Sequence, residues 1–331
     1  MEDNMTIKIG IMGYGNLGKG VYSAIKQNPD MELVAVFTRR PKNSIKIQED
    51  AKIVSVDDAK EYVDKIDVMI LCGGSATDLP VQGPEFAKLF NTVDSFDTHA
   101  KIPEYFEEVD LVAKSNGHTS AISIGWDPGL FSINRMVSEA ILPDGKEYTF
   151  WGSGVSQGHS DAIRRISGVK NGIQYTIPLD GAINRVRSGD DPNLETKEKH
   201  LRVCYVVLEE GVDKNKVEKE IKEMPNYFLD YTTEVNFITE DELKLNHSGM
   251  PHGGFVIRSG KTGFNKENKH IVEFSLKLDS NPEFTASILV AYARAVFKMN
   301  KEGHFGAKTV FDISLGHLSP KSSEELRKNL L

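Results

Sequence analysis

Along the first third of the chain, short apolar runs alternate with helix-length amphipathic segments. The runs are IKIGIM, ELVAVF, KIDVMILC, NTVDSF and TSAISIG. Strand-length apolar runs separated by helical segments predict a parallel sheet covered on both faces. From about Trp126 the pattern changes. A helix is predicted near Leu130 to Ile141, followed by longer strand-like stretches: GIQYTIPL, HLRVCYVVLEE, YTTEVNFI, GGFVIRSGK and KHIVEFSLKLD. Several alternate polar with apolar residues, as in an antiparallel sheet with one wet face. A helical segment near Lys214 to Glu223 interrupts them. The tail PEFTASILVAYARAVFKMN is amphipathic and has Pro282 near its start, where a helix tolerates proline. The expected organisation is a first domain over 1–125 and a second over 126–282, with the helical segment from about 283 to 331 packing back on the first.

Composition narrows the class. A chain of 331 residues can bury two cores. With 40 basic against 48 acidic residues the net charge is −8, which argues against nucleic acid as a partner. The two cysteines, Cys72 and Cys204, make no disulfide framework and suit a reducing compartment. The start, MEDNMTIKIG, is acidic and leads straight into a strand, unlike a signal peptide. ASILVAYARAVF is shorter than the ~20 residues that span a bilayer and carries Arg294. The expectation is a cytoplasmic protein with no membrane partner.

Between the first strand and the first helix stands GYGNLG, with Gly13, Gly15 and Gly18 spaced as G-x-G-x-x-G. Glycines there allow a tight turn and close backbone approach, while the helix N-terminus offers amides and a positive dipole to a pyrophosphate. This predicts a dinucleotide site in a Rossmann-type, doubly wound α/β domain, followed by an α+β domain on a mostly antiparallel sheet. About twenty residues on, where an acid commonly holds the ribose of NAD, the sequence has VFTRRP. Thr38, Arg39 and Arg40 instead suit a 2′-phosphate, through a hydroxyl and charge-assisted guanidinium bonds. Two such bonds of about 1.5–3 kcal/mol each favour NADP over NAD by two orders of magnitude or more.

LCGGSATD follows another buried strand, and in this fold such a turn lies where the cofactor crosses the sheet edge. Ser75 and the loop amides are candidate contacts, and a plain strand-to-helix cap is the alternative. Cys72 is read as a small buried residue rather than a nucleophile. DSFDTH and GWDPGLFS close the next two strands, which places Asp97 and Asp127 at successive carboxyl ends of the sheet. Together they form an anionic site suited to an ammonium-bearing substrate; taken singly, each reads as a turn or capping aspartate. His247 and His252 lie five apart around SGMPHGG, a glycine-rich turn, and this spacing predicts no metal site. On the residues alone, Arg202 reads as a strand arginine on a solvated face and His252 as a turn histidine.

Nine stretches together resemble the NADP-dependent meso-diaminopimelate D-dehydrogenase family of lysine and cell-wall precursor synthesis. They are GYGNLG, TRR, LCGGSATD, DSFDTH, GWDPGLFSINR, FWGSGVSQGHSDAIRR, QYTIP, MPHGG and DSNPEFTAS, running in family order from residue 13 to 287. Thr38 stands where relatives often carry serine. The resemblance implies reversible oxidative deamination at the D-centre of meso-2,6-diaminopimelate, giving L-2-amino-6-oxopimelate, which cyclises to tetrahydrodipicolinate, and ammonia. It implies NADP as cofactor and a homodimer. At the D-centre it places Asp97 and Asp127, either of which can act as base, with Trp151 shaping that end. Gln157 and Gly158 line the cleft, and Thr176, Arg202, His252 and Asn281 hold the distal L-amino-acid end. Cofactor contacts are implied at Gly13, Tyr14, Gly15, Asn16, Leu17, Gly18, Thr38, Arg39, Arg40, Cys72, Gly73, Gly74 and Ser75. They continue at His99, Ala100, Lys101, Pro128, Gly129, Leu130, Phe131 and Ser132. The rivals are a dihydrodipicolinate reductase-like NADP enzyme, which has no site for a second amino-acid end, and a non-catalytic NADP-sensing regulator.

Overall fold

The computed structural model describes residues 6–47 and 51–331. Most of the acidic start, MEDNM, therefore lies outside the described residues. The chain divides into two compact units, Met1–Ile133 with Pro282–Leu331, and Asn134–Asn281. The first opens with β1 (Ile7–Met12), α1 (Asn16–Lys26), β2 (Met31–Thr38), β3 (Ile53–Ser55), β4 (Val68–Leu71) and α2 (Leu79–Ala87). It continues with β5 (Asn91–Asp94), α3 (Ile102–Ser115), β6 (Thr119–Ala121) and the start of α4 (Leu130–Ile141). The second holds β7 (Gly145–Trp151), β8 (Gly154–Val155), α5 (Gln157–Arg164), β9 (Val169–Pro178), α6 (Asp180–Arg187) and α7 (Thr196–Lys199). After these come β10 (His200–Leu208), α8 (Lys214–Lys222), β11 (Thr232–Phe237), α9 (Glu240–Asn246), β12 (His252–Thr262) and β13 (Asn268–Leu278). The chain ends with α10 (Asn281–Lys301), β14 (Gly306–Lys308), α11 (Leu315–Leu318) and α12 (Ser323–Leu330).

The predicted parallel sheet is present, with seven strands in the order β14-β6-β5-β4-β1-β2-β3. Its central strands are apolar on both faces, and every residue of β4 is buried, because helices cover both sides. β3 and β14 escape prediction because each has only three residues, whereas the equally short β6 sits in the longer apolar run TSAISIG. The order reverses between β1 and β4, so the loops leaving those two strands meet at one crevice. α10 lies against α1: a Cβ on Gly20 would come 2.9 Å from that of Ala286. Its Arg294 is 2% exposed and makes two bonds to Asp30, at 2.6 and 2.8 Å, and one to Asn28 at 2.7 Å.

The second unit has a four-stranded sheet, β11-β10-β9-β8, and a three-stranded one, β13-β12-β7. All pairings there are antiparallel except β10 with β11, which run parallel. The sequence pattern did not show this exception; the intervening α8 supplies the crossover that parallel neighbours require. One face of the four-stranded sheet carries a core of Ile163, Cys204, Val206, Val217, Ile221 and Phe228. No helix among the described residues is long and apolar enough to cross a membrane.

Candidate active site

In the first unit the glycine-rich turn follows β1. Gly13 has φ +95°, and a Cβ on Gly18 would lie 2.1 Å from the carbonyl oxygen of Gly13, so both positions require glycine. Around Gly15 the space is open, and α1 begins at Asn16 with no acid in its first turn and with Gly15, which has no side chain, as its N-cap. A helix start of that kind carries a positive dipole end that suits an anionic group. At the end of β2 the Thr38 hydroxyl accepts from the Arg40 amide at 3.0 Å, and the Arg40 guanidinium donates to the Tyr14 carbonyl. Two cationic side chains thus reach the same crevice edge as the turn. Arg39 is exposed and pairs with Asp78 at 2.8 Å.

The loop after β4 is tight: a Cβ on Gly73 would meet Gln82 at 2.5 Å, and the Gly74 amide donates to Asp78 at 2.8 Å. Burial pushes the Cys72 thiol up, which suits a packing residue and not a nucleophile. Ser75 accepts the Asp97 amide at 2.8 Å, linking the β4 loop to the β5 loop. Asp97 is exposed, and His99, Ala100 and Lys101 form an exposed helical turn just beyond it. Asp127 is half-buried in the turn before α4. There Gly129 has φ +135°, and its amide donates to Ser132 at 3.1 Å. Pro128 and Leu130 are partly accessible, whereas Phe131 is 0% exposed with its ring edge-on to Trp126, so it can offer a cofactor its backbone alone.

In the second unit, strand register gathers residues that lie far apart in sequence. Arg202 of β10 is opposite Thr176 of β9, and Thr176 is opposite Gly154 of β8. A Cβ on Gly154 would lie 2.6 Å from the His252 ring, so the missing side chain admits that histidine. The Asn281 amide donates to the Met250 carbonyl at 2.9 Å, bringing Asn281 to the same segment. Trp151 ends β7, donates its amide to His200 Nε2 at 2.8 Å and stacks on that ring at 5.5 Å. Gln157 and Gly158 begin α5 and are exposed. His247 bonds the Tyr175 hydroxyl at 3.0 Å and stacks on Tyr205, and among the described residues no cluster could hold a metal.

The solvated-face reading of Arg202 is wrong. It is 6% exposed, because it continues the row of Cys204 and Val206 on the core face of β10. Its guanidinium donates to Thr176, and no carboxylate among the described residues pairs with it. Burial lowers its pKa, and its charge helps hold His159 and His200 neutral, their pKa values falling to about 4 and about 3 chiefly through their own burial. Arg202 Nε, Gln174 Oε1 and Thr233 Oγ1 are all buried without a hydrogen-bond partner. All three lie on one face of the sheet, since Thr233 is opposite Arg202, and Gln174 is two residues from Thr176. A cluster of orphaned polar atoms beside an unpaired cation is the signature of a site for an anionic, hydrogen-bonding ligand.

Residues 125–280 match the family described as diaminopimelic acid dehydrogenase C-terminal domain, and residues 7–71 match dihydrodipicolinate reductase, N-terminus. The chain is 66% identical over 325 residues to the meso-diaminopimelate D-dehydrogenase of Ureibacillus thermosphaericus, covering 98% of this chain and 99% of that one. The chain belongs to the meso-diaminopimelate D-dehydrogenase family. The Corynebacterium glutamicum member is 44% identical over 321 residues, with 97% and 98% coverage. Its structure in complex with DAP superposes with a TM-score of 0.92 at 43% identity, over 99% of this chain and 100% of that one. An engineered D-amino acid dehydrogenase bound to NADP+ has a TM-score of 0.86 at 41% identity, over 98% and 100%. As a family member the chain is an oxidoreductase of the diaminopimelate dehydrogenase type, and the match to dihydrodipicolinate reductase covers the nucleotide-binding end alone.

Beside Arg202 stands Tyr231, a residue with no signal in the sequence. Its ring lies 3.9 Å under the Arg202 guanidinium. It sits two residues before Thr233, the partner of Arg202 in register, so it reaches the same face. Without the parallel β10–β11 pairing, that relation is invisible.

Proposed function

We propose that the chain oxidatively deaminates the D-centre of meso-2,6-diaminopimelate with NADP, a step of lysine and diaminopimelate biosynthesis. The observation that carries this is the buried Arg202 guanidinium, which has no carboxylate of its own chain among the described residues and lies beside orphaned polar atoms. A substrate with an amino-acid group at each end supplies the missing carboxylate.

The cofactor's fit rests on the open space at Gly15, the acid-free start of α1 and the Thr38, Arg39 and Arg40 edge. Bound there, oxidised NADP supplies a two-electron hydride acceptor. The remaining chemistry belongs to side chains and water. Asp97 and Asp127 hold the ammonium of the D-centre and take its proton, leaving the amine lone pair free to assist loss of hydride. Water then adds to the resulting imine, and ammonia leaves to give L-2-amino-6-oxopimelate. At the distal end Arg202 grips the carboxylate, with Thr176, His252 and Asn281 adding polar contacts. Fixing that end decides which of the two α-carbons turns its hydrogen to the acceptor, so selectivity arises from positioning. Trp151, Gln157 and Gly158 line the path between the ends.

We further propose a cytoplasmic homodimer, in keeping with the two unpaired cysteines, neither of them in a disulfide. Light scattering on the purified protein measures the second point; a monomeric mass refutes it. The function is tested by following NADPH formation with meso-, LL- and DD-diaminopimelate side by side. The meso isomer should dominate, because it alone pairs a D-centre with a distal L-end. Equal rates with the LL isomer would refute the assignment.

A further inference from the structure

Asp94 ends β5 three residues before Asp97, and it is 1% exposed. Three donors converge on its carboxyl group. Oδ1 accepts the Phe96 amide at 2.9 Å and the Ser123 amide at 3.1 Å, and Oδ2 accepts the Tyr105 hydroxyl at 2.7 Å. Its main-chain oxygen also accepts the Ile124 amide at 2.9 Å. Phe96 immediately precedes Asp97, while Ser123 and Ile124 lead into the turn that carries Asp127.

We propose that Asp94 is a positioning residue for the reaction: its buried side chain ties together the two strand-end loops that present Asp97 and Asp127. The proposal rests on the assignment of those two aspartates to the reacting centre.

Several features suit the tie to this task. Ser123 has φ +58°, a conformation a non-glycine residue keeps only where its surroundings impose it, and its amide is held by Asp94. Tyr105 stacks on Phe96 at 4.2 Å, so the ring that donates to Asp94 also clamps the residue beside Asp97. Room for its hydroxyl comes from Gly83 inside α2, where a Cβ would lie 1.9 Å from that oxygen. Ser75 closes the set by accepting the Asp97 amide. Two backbone amides and a phenol can be satisfied together by a group with two acceptor oxygens, and an apolar residue would leave all three unpaired in the core. Burial raises the Asp94 carboxyl to about 6 in spite of these bonds, so the site keeps a carboxyl group at a cost in desolvation.

The test uses the full-length enzyme and the variants Asp94→Ala, Asp94→Asn and Tyr105→Phe, with Asp97→Asn and Asp127→Asn as references. Misplaced catalytic groups should lower kcat for meso-diaminopimelate about 100-fold in Asp94→Ala, while NADPH affinity, read by fluorescence, stays within about twofold. Asn keeps the oxygen that both amides use, so Asp94→Asn should recover kcat to within about threefold of the parent. Tyr105→Phe should lower kcat about threefold or more with NADPH affinity unchanged. The proposal is overturned if Asp94→Ala keeps its kcat, if Asp94→Asn is as impaired as Asp94→Ala, or if NADPH binding fails in step with kcat. Should Asp94→Ala not fold, an unaltered kcat in Tyr105→Phe overturns it, and a lowered one with Asp94→Asn active supports it. If Asp97→Asn and Asp127→Asn keep full turnover, the reacting-centre assignment falls and takes this proposal with it. If they lose turnover while Asp94→Ala does not, the tie alone is refuted.

Discussion

Replacing Arg202 with methionine separates a ligand-reading arginine from a structural one. In the structure one arm of the guanidinium is engaged by Thr176, Tyr231 stacks on its plane at 3.9 Å, and Nε is buried without a partner. A distal carboxylate would gain up to two charge-assisted bonds there, at about 1.5–3 kcal/mol each. Their loss amounts to roughly 3–6 kcal/mol, or about 10²- to 10⁴-fold in kcat/KM for meso-diaminopimelate. A D-amino acid with an apolar side chain, such as D-norleucine, never uses those bonds, so its kcat/KM should change little or rise. Stability should change far less than activity. Burial lowers the pKa of Arg202, which means the folded protein holds that charge at a cost, and methionine removes it. The unliganded variant should therefore melt no more than about 4 °C below the parent, equivalent to about 1–2 kcal/mol. The assay is kcat/KM for both substrates at saturating NADP, together with a melting curve without ligand. An unchanged ratio of the two kcat/KM values, or a large fall in melting temperature, refutes the reasoning.

Replacing both Arg39 and Arg40 with alanine should raise KM for NADP about 100-fold and leave that for NAD nearly unchanged; equal effects on the two would refute the phosphate role. Asp30→Ala strands the Arg294 guanidinium, 2% exposed, and should destabilise the protein by about 3–5 kcal/mol in chemical denaturation. A loss below about 1 kcal/mol would show the pair to be dispensable. His159 is held neutral, its pKa falling from 6.5 to about 4, chiefly by burial. The unfolded chain then binds the proton first, so the stability His159 confers is complete above pH ~6.5 and is lost as pH falls towards ~4, up to about 3 kcal/mol. Asp94, raised to about 6, works in the opposite sense over the same acid range, so the contrast between parent and His159→Gln isolates the histidine. The melting temperature of His159→Gln should fall less steeply between pH 6.5 and 4.5 than that of the parent; parallel curves would rule the histidine out.

The sequence by itself determined what local chemistry decides. A G-x-G-x-x-G turn needs its glycines whatever surrounds it, so Gly13 and Gly18 marked the tight turn between β1 and α1 before the fold was known. Thr38, Arg39 and Arg40 were legible for the same reason, because one helix and one strand separate them from that turn. Asp97 and Asp127 could be placed at strand ends from the periodicity of the runs before them. Arg202 could not be placed. Its strand is apolar on both faces, so alternation gives no inside or outside, and a residue-by-residue reading put it in solvent. Register across β8, β9 and β10 decided its burial and its companions Thr176 and His252. Tyr231 needed the parallel β10–β11 pairing as well. Asp94 carried no signal of its own, and the convergence of amides from two loops with a phenol from a third element gave it a distinct place. Backbone demands are written within a few residues. Side-chain partnerships between strands depend on pairing partners far away in the chain, and tertiary structure alone supplies them.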